Sequence, residues 1–346
     1  MSELLRELDE MPLTLLETSA EDLHDALGGP TLFHLRGNRE PALFICVLMH
    51  GNETSGWDAV RKVLLDHLDS GGLRLPRSLS LFIGNTAAAK EGVRHLPEQP
   101  DFNRVWPGSE THGTPEHELM RTVMDNMADR EIFASIDLHN NTGLNPHYAC
   151  VNVLEHQSLH LASLFGRTVV YFVRPRGVAS MAMAALGPSV TLECGKVGQI
   201  HGVDHATDYL RACLHLSEIP AHAVPSHDID LYHTVAVVRV PPELPFGFGD
   251  QSGPISFPRD LDRMNFRELP VGSLIAECDG LAQQPLDVRD EQDRPVADQY
   301  FTLEDGRLVT RVPVMPSMLS CNPEVIRQDC LCYLMERYND HLADAG

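Results

Sequence analysis

Residues 42–68 read ALFICVLMHGNETSGWDAVRKVLLDHL, and this stretch decides the fold. Ala42 to Met49 is an uninterrupted apolar run, the pattern of a buried strand. After a polar interval, Trp57, Val60, Leu64 and Leu68 return at helical spacing, so a strand-turn-helix unit is predicted. Its turn is His50-Gly51-Asn52-Glu53.

The same alternation spreads in both directions. Thr31 to Leu35 reads as a strand joined to the first through Arg36-Gly37-Asn38, and Ser78 to Ile83 follows the Gly71-Gly72 loop. Leu119, Met120, Val123, Met124 and Met127 share one face of a helix starting near Pro115. Phe133 to Leu138 then alternates into a strand that ends at His139. Further strands are predicted at Ala149 to Leu154, Thr168 to Val173 and Ser189 to Glu193, with a helix from about Val203 to Leu216. The expected class is α/β: helices covering a mixed or parallel sheet.

From Pro220 the character changes. Prolines cluster at 241, 242, 245, 254 and 258, and short strand-like segments such as Thr234 to Val240 and Arg307 to Val312 replace helices. The predicted organisation is an α/β domain over 1–220, a smaller β-rich domain over 221–322, and a C-terminal helix within 323–346. That helix would run from Pro323 to Leu342 and carry Val325, Ile326, Leu331, Leu334 and Met335.

At 346 residues, with 43% apolar and 22% charged residues, the chain has the composition of an ordinary globular protein and can bury a sizeable core. The formal charge of −22 argues against nucleic-acid binding, which needs basic patches. Eight cysteines form no C-x-x-C pair and most sit in apolar runs, so a reducing, cytoplasmic location is expected. No run of about 18 apolar residues predicts a membrane span. The sequence permits a monomer or a homo-oligomer.

The chemistry gathers at strand ends. His50 and Glu53 follow the first strand, where loop residues converge on ligands. The H-x-x-E spacing alone is weak, because His95/Glu98 and His215/Glu218 share it, but only His50/Glu53 closes a buried strand. His139 closes another, with Asp137 on the same face, where a carboxylate either orients a metal-bound imidazole or simply caps the next turn. Glu193 closes a third strand, before Cys194-Gly195, as either a proton-handling acid or a salt-bridged edge residue. His201 and His205, four apart, read as a solvent-facing helix pair, and His112, His117, His222, His227 and His233 receive no role.

Four segments in order, His50-Gly51-Asn52-Glu53-Thr54, Asp101-Phe102-Asn103-Arg104, Asp137-Leu138-His139-Asn140 and Leu192-Glu193-Cys194-Gly195, resemble the aspartoacylase and succinylglutamate desuccinylase family of carboxypeptidase A-like zinc hydrolases. The resemblance covers roughly residues 40–200. It implies one zinc ion per chain on His50, Glu53 and His139, with Glu193 as general base and acid. It further implies that Arg94 polarises the scissile carbonyl and that Asn103 and Arg104 grip the carboxylate of a small-molecule substrate. Two departures stand out: Asn85-Thr86 replaces the family's Asn-Pro, and the Arg94-to-Asn103 interval is two residues longer. The expected activity is hydrolysis of an N-acyl amino acid or similar small carboxylate. A carboxypeptidase-like peptidase acting on short peptides and a non-catalytic metal-binding module are the competing readings.

Overall fold

The computed structural model describes residues 4–249 and 253–338. Its main sheet begins with β1 (Arg6–Leu8), β2 (Thr31–Leu35), β3 (Ala42–Val47), β4 (Leu79–Ile83), β5 (Ile132–His139), β6 (Tyr148–Val151), β7 (Thr168–Tyr171), β8 (Ser189–Glu193) and β9 (Asp230–Arg239). These lie side by side in the order β1-β2-β4-β3-β5-β8-β6-β7-β9. Strands β4, β3, β5 and β8 are mutually parallel, while β2 and β6 run against their neighbours β4 and β8. The expected α/β class with a mixed sheet is the observed one.

The apolar run of β3 is continuous because both its faces are covered. Leu43, Ile45 and Val47 join a core with Trp57, Val60 and Leu64 of α1 (Ser55–Asp66) and with the helix that follows β8. Phe44 and Cys46 point the other way, into a second core that includes Met120, Val123 and Met127 of α2 (Pro115–Ala128). Alternation along the strand divides the two sets. The helix after β8 is α3 (Ile200–His215), whose Val203, Ala206, Leu210 and Leu214 complete the first layer. Each fully buried aliphatic side chain contributes about 1.5–3 kcal/mol, so the two layers hold the central strands in one register.

That register places the chemistry. Parallel strands in adjacent positions present their carboxyl ends along one sheet edge, where α/β proteins bind ligands. Here β3, β5 and β8 are consecutive neighbours, with Cys46 opposite Asp137 and His139 opposite Glu193. Ile136, Leu138, Val190 and Leu192 belong to the α1/α3 core. By strand alternation, Asp137, His139, Thr191 and Glu193 point to the opposite face.

The second half continues with β10 (Phe246–Phe248), β11 (Ile255–Phe257), β12 (Leu274–Cys278), β13 (Asp287–Asp290), β14 (Phe301–Glu304), β15 (Arg307–Thr310), β16 (Met315–Ser317), α4 (Pro323–Gln328) and β17 (Cys332–Arg337). A five-stranded sheet runs β10-β11-β12-β15-β14 and shares a core with β9 and β17 through Val238, Phe257, Ile275, Leu308 and Leu334. This is the predicted β-rich C-terminal part. Residue 220 marks a change of composition rather than an end of the first sheet, because β17, β16 and β13 extend that sheet beyond β9.

The predicted C-terminal helix is corrected. Helix α4 stops at Gln328, and Cys332–Arg337 is a strand paired antiparallel with β9 and β16. Asn322 caps α4 by accepting from the Glu324 N–H at 2.9 Å, with Pro323 at the first helical position. Beyond it, Cys332 and Leu334 alternate into the core shared with the five-stranded sheet, and the ladder with β9 satisfies the backbone. The remainder of the predicted helix, 339–346, lies outside the described residues.

Candidate active site

The turn after β3 is tightly built. Leu48 adopts a left-handed φ of 57°, a strained conformation for a non-glycine residue. It is fixed by backbone donation from Gly84 N to Val47 O (3.0 Å) and Asn85 N to Leu48 O (2.7 Å). Gly51 must lack a side chain, since a Cβ there would sit 2.2 Å from Ala89 N and 2.3 Å from the Ala88 carbonyl carbon. The result holds His50 and Glu53 inward, both buried.

His50, Glu53 and His139 converge, offering one ligand atom each, all within 4.8 Å of one another. Glu53 spans the imidazoles: Oε1 lies 2.8 Å from His50 Nδ1 and Oε2 lies 2.8 Å from His139 Nδ1. It also accepts from Asn140 N–H at 3.0 Å. Each histidine turns its other nitrogen to a carboxylate. Asp137 Oδ2 is 2.8 Å from His139 Nε2, and Asp101 Oδ1 is 3.0 Å from His50 Nε2. Such partners reserve Nδ1 as the lone-pair donor and raise its basicity. Asp137 stands where sequence placed it; Asp101 was missed, although it lies within the quoted Asp101-to-Arg104 motif.

The electrostatics suit a cation. Burial opposes the charge of Glu53, yet His50 and His139 hold its pKa well below the usual carboxylate range. Burial likewise opposes a charge on His139, but Asp137 and Glu53 outweigh it and push the imidazole's pKa well up. Two nitrogens, one carboxylate and an anionic surround form a donor set that fits a divalent metal such as zinc. Asp137→Asn keeps a hydrogen-bonding side chain but removes the charge, and is expected to weaken metal binding by about 10–100-fold, measured by competition against a chromophoric chelator.

Glu193 lines the same cleft, buried, and its Oε2 makes no hydrogen bond. Burial pushes its pKa up to about 7; Glu53 adds to the rise while His139 and His50 oppose it.

Arg94 reaches the site despite the longer loop. Its Nε and Nη2 both donate to Asp101 Oδ2, at 2.9 and 2.8 Å, and its Nη1 lies 3.9 Å from Glu53 Oε1. Its backbone carbonyl accepts from Gly51 N–H at 3.0 Å, which ties the loop to the ligand turn. The substitution at Thr86 is absorbed because Thr86 opens a short helix, capped by Asn85, at the position proline would otherwise take.

Asn103 and Arg104 are engaged by the protein itself. The Asn103 Nδ2 is 3.1 Å from His139 Nε2, and its Oδ1 accepts from Ala179 N–H at 2.9 Å. Arg104 donates to Asn103 O at 2.8 Å and to Asp329 Oδ1 at 3.1 Å. Asp329, together with Tyr148 and Tyr333, which also line the cleft, was invisible to the sequence reading. In the sequence, Asp329 falls within the predicted C-terminal helix, where no motif marks it. His201 and His205 lie apart from this site: His205 Nε2 is 2.6 Å from Phe165 O, and both rings pack on His147.

A family model, the succinylglutamate desuccinylase/aspartoacylase catalytic domain, matches residues 39–215, just over half of the chain. The chain belongs to that family. Solved structures with the same fold include a succinylglutamate desuccinylase from Chromobacterium violaceum, at 19% identity and TM-score 0.56, covering 91% of this chain and 86% of that one. A succinylglutamate desuccinylase/aspartoacylase from Rhodobacter sphaeroides aligns at 15% identity and TM-score 0.55, covering 88% of each chain. Murine aminoacylase 3 aligns at 15% identity and TM-score 0.53, covering 87% of this chain and 97% of that one. No curated protein sequence matches the chain. The named members of this family are hydrolases. No described helix is long and apolar enough to cross a membrane.

Proposed function

We propose that this protein is a zinc-dependent deacylase that hydrolyses the amide bond of a small compound of the N-acyl amino acid type. One observation carries the reading: an unpartnered, buried carboxyl, Glu193, faces the cleft that also exposes the His50/Glu53/His139 donor set.

His50 Nδ1, His139 Nδ1 and a Glu53 oxygen would hold the ion, which when bound would lower the pKa of water toward neutrality and polarise a carbonyl. Glu193 takes a proton from the attacking water and returns it to the leaving nitrogen. Arg94 Nη1 faces the donor set while Nε and Nη2 are anchored on Asp101, so it is oriented to donate to the oxygen where negative charge develops. Asn103 accepts from the Ala179 N–H, which holds its side chain against the outer edge of the His139 ring.

A deacylase is favoured over a peptidase because the C-terminal region walls the cleft. Ser317, Met318, Val325, Gln328 and Tyr333 line it beside the catalytic strands, which limits the length of chain it admits. All eight cysteines are free, and seven are buried, which supports a reducing, cytoplasmic setting. The test is elemental analysis of the purified protein, with a hydrolysis screen over N-acyl amino acids, their amides and dipeptides. Bound zinc and release of free acid from acyl compounds is the expected result. Preference for dipeptides would favour the peptidase reading, and bound metal without any hydrolysis would favour a non-catalytic module.

A further inference from the structure

Asn140 and Asn141 follow β5 side by side, and the protein uses them in opposite ways. Asn140 is employed by the fold: its N–H donates to Glu53 Oε2 at 3.0 Å, its Oδ1 accepts from Ser55 N–H at 3.2 Å, and its Nδ2 donates to Gly195 O at 2.8 Å. Asn141 is anchored through its backbone, whose N–H donates to Gly195 O at 3.1 Å. Its side chain lines the cleft and only 3% of the residue is exposed, yet neither Oδ1 nor Nδ2 has a hydrogen-bond partner.

Burying an amide without partners is unfavourable, and protein interiors rarely leave both ends of one bare. Asn52 and Glu193 each leave one buried acceptor unpartnered in this cleft; among the described residues that line it, only Asn141 leaves a buried donor and acceptor together. The side chain also stands next to the chemistry. His139 lies opposite Glu193 in the sheet, and the bond from Asn141 to Gly195 joins the same two segments two residues farther on. Alternation past His139 turns Asn140 toward α1, where it meets Ser55, and turns Asn141 toward the face that carries His139. Asn141 is the next side chain beyond that ligand on the same face.

We propose that Asn141 is a substrate-binding residue that reads the N–H of the scissile amide, so the protein takes secondary N-acyl amino acids and discriminates against esters and N-alkylated amides of the same shape. This rests on the deacylase reading and narrows its substrate class. In an extended N-acyl amino acid the amide N–H and a carboxyl oxygen lie on one edge, as they do along a strand. Asn141 Oδ1 accepts from that N–H and Nδ2 donates to that oxygen, so a single ligand satisfies both bare groups. The remaining lone pairs of the carboxylate stay open to the arginines of the cleft. An ester puts an oxygen where the N–H would be, and it faces Oδ1 with no hydrogen between them. A site built to hydrogen-bond one group rejects the analogue that lacks it, because its own buried groups are then left unpaired.

The test uses calorimetric titration of the zinc-loaded full chain in a Glu193→Gln background, so that no compound is consumed. N-acetyl-L-leucine, N-acetyl-L-glutamate and N-acetyl-L-lysine are titrated first, and the tightest is then compared with its O-acetyl counterpart, the 2-hydroxy acid ester in which oxygen replaces the N–H. The amide should bind tighter than the ester, and adding Asn141→Leu should shrink that preference at least roughly tenfold. Asn141→Ala, which adds no bulk, should shrink it likewise. Because the native side chain is unpartnered in the free protein, Asn141→Leu should hold or raise the melting temperature, whereas an asparagine serving the fold would lower it when replaced. A preference that survives both substitutions would overturn the proposal, as would absence of binding by all the N-acetyl compounds. The expected loss of preference, with no hydrolysis of any N-acetyl compound by the unsubstituted protein, would sink the deacylase reading and leave the subsite standing; hydrolysis with an unchanged preference would sink the subsite alone.

Discussion

Glu193→Gln lowers kcat by about 10²–10⁴-fold while zinc content and melting temperature stay close to those of the unsubstituted protein. The substitution is nearly isosteric and lies outside the donor set, so the metal site should survive it. What is lost is the capacity to accept a proton. The position is already costly as a carboxylate, being buried with one oxygen unpartnered and a pKa raised to about 7. A neutral amide relieves that desolvation, so the fold gains or holds stability as the rate collapses. A structural role predicts the reverse pattern, a fall in melting temperature with activity retained per folded molecule.

The same group fixes the sign of the pH dependence. Glu193 acts as a base only when ionised, so kcat/KM should rise with pH through its pKa and level off above it. Burial and Glu53 push that pKa up to about 7, and a divalent cation beside it would favour the anion. The acid limb is therefore expected at or below about pH 7, and Glu193→Gln should abolish it. A limb that persists in the variant would assign it to another residue.

What was legible in the sequence was whatever a local period records. Three buried strands ending in His50, His139 and Glu193 could be seen because one is an apolar run and the other two alternate, and each closes on a polar residue. Their adjacency is not recorded by any period; it follows from the order β3-β5-β8, which tertiary pairing decides. The same limit explains the C-terminal error. Val325, Ile326, Leu331, Leu334 and Met335 satisfy a helical stripe, yet Cys332 and Leu334 also satisfy a strand, and only the free edge of β9 chooses between them. That choice sends Asp329 back to Arg104, a contact spanning 225 residues of chain. A pattern search has no access to it. Asp101 differs in kind: it sits inside a motif read for its Asn103 and Arg104, and its bond to His50 becomes visible only once the loop is folded over the ligand turn.

His139→Ala should remove both metal and activity, and it should also destabilise the fold for a separable reason. The imidazole contributes Nδ1 to the donor set and uses Nε2 to face Asp137, whose side chain is fully buried at 0% exposure. Deleting the ring leaves one imidazole and one carboxylate, too few ligands for a tight zinc site, so bound metal and turnover should fall below detection. It also leaves Asp137 as a buried carboxylate without its cationic partner, with Oδ1 already lacking a hydrogen bond. Loss of one partner from a buried pair costs about 3–5 kcal/mol, which should show as a drop in the midpoint of chemical denaturation of the metal-free protein. Combining His139→Ala with Asp137→Asn removes the stranded charge and should recover part of that midpoint without restoring zinc or turnover. If the single variant keeps zinc at one ion per chain, the donor set is wrong. If the double variant recovers no stability, Asp137 is held by something other than the imidazole it faces.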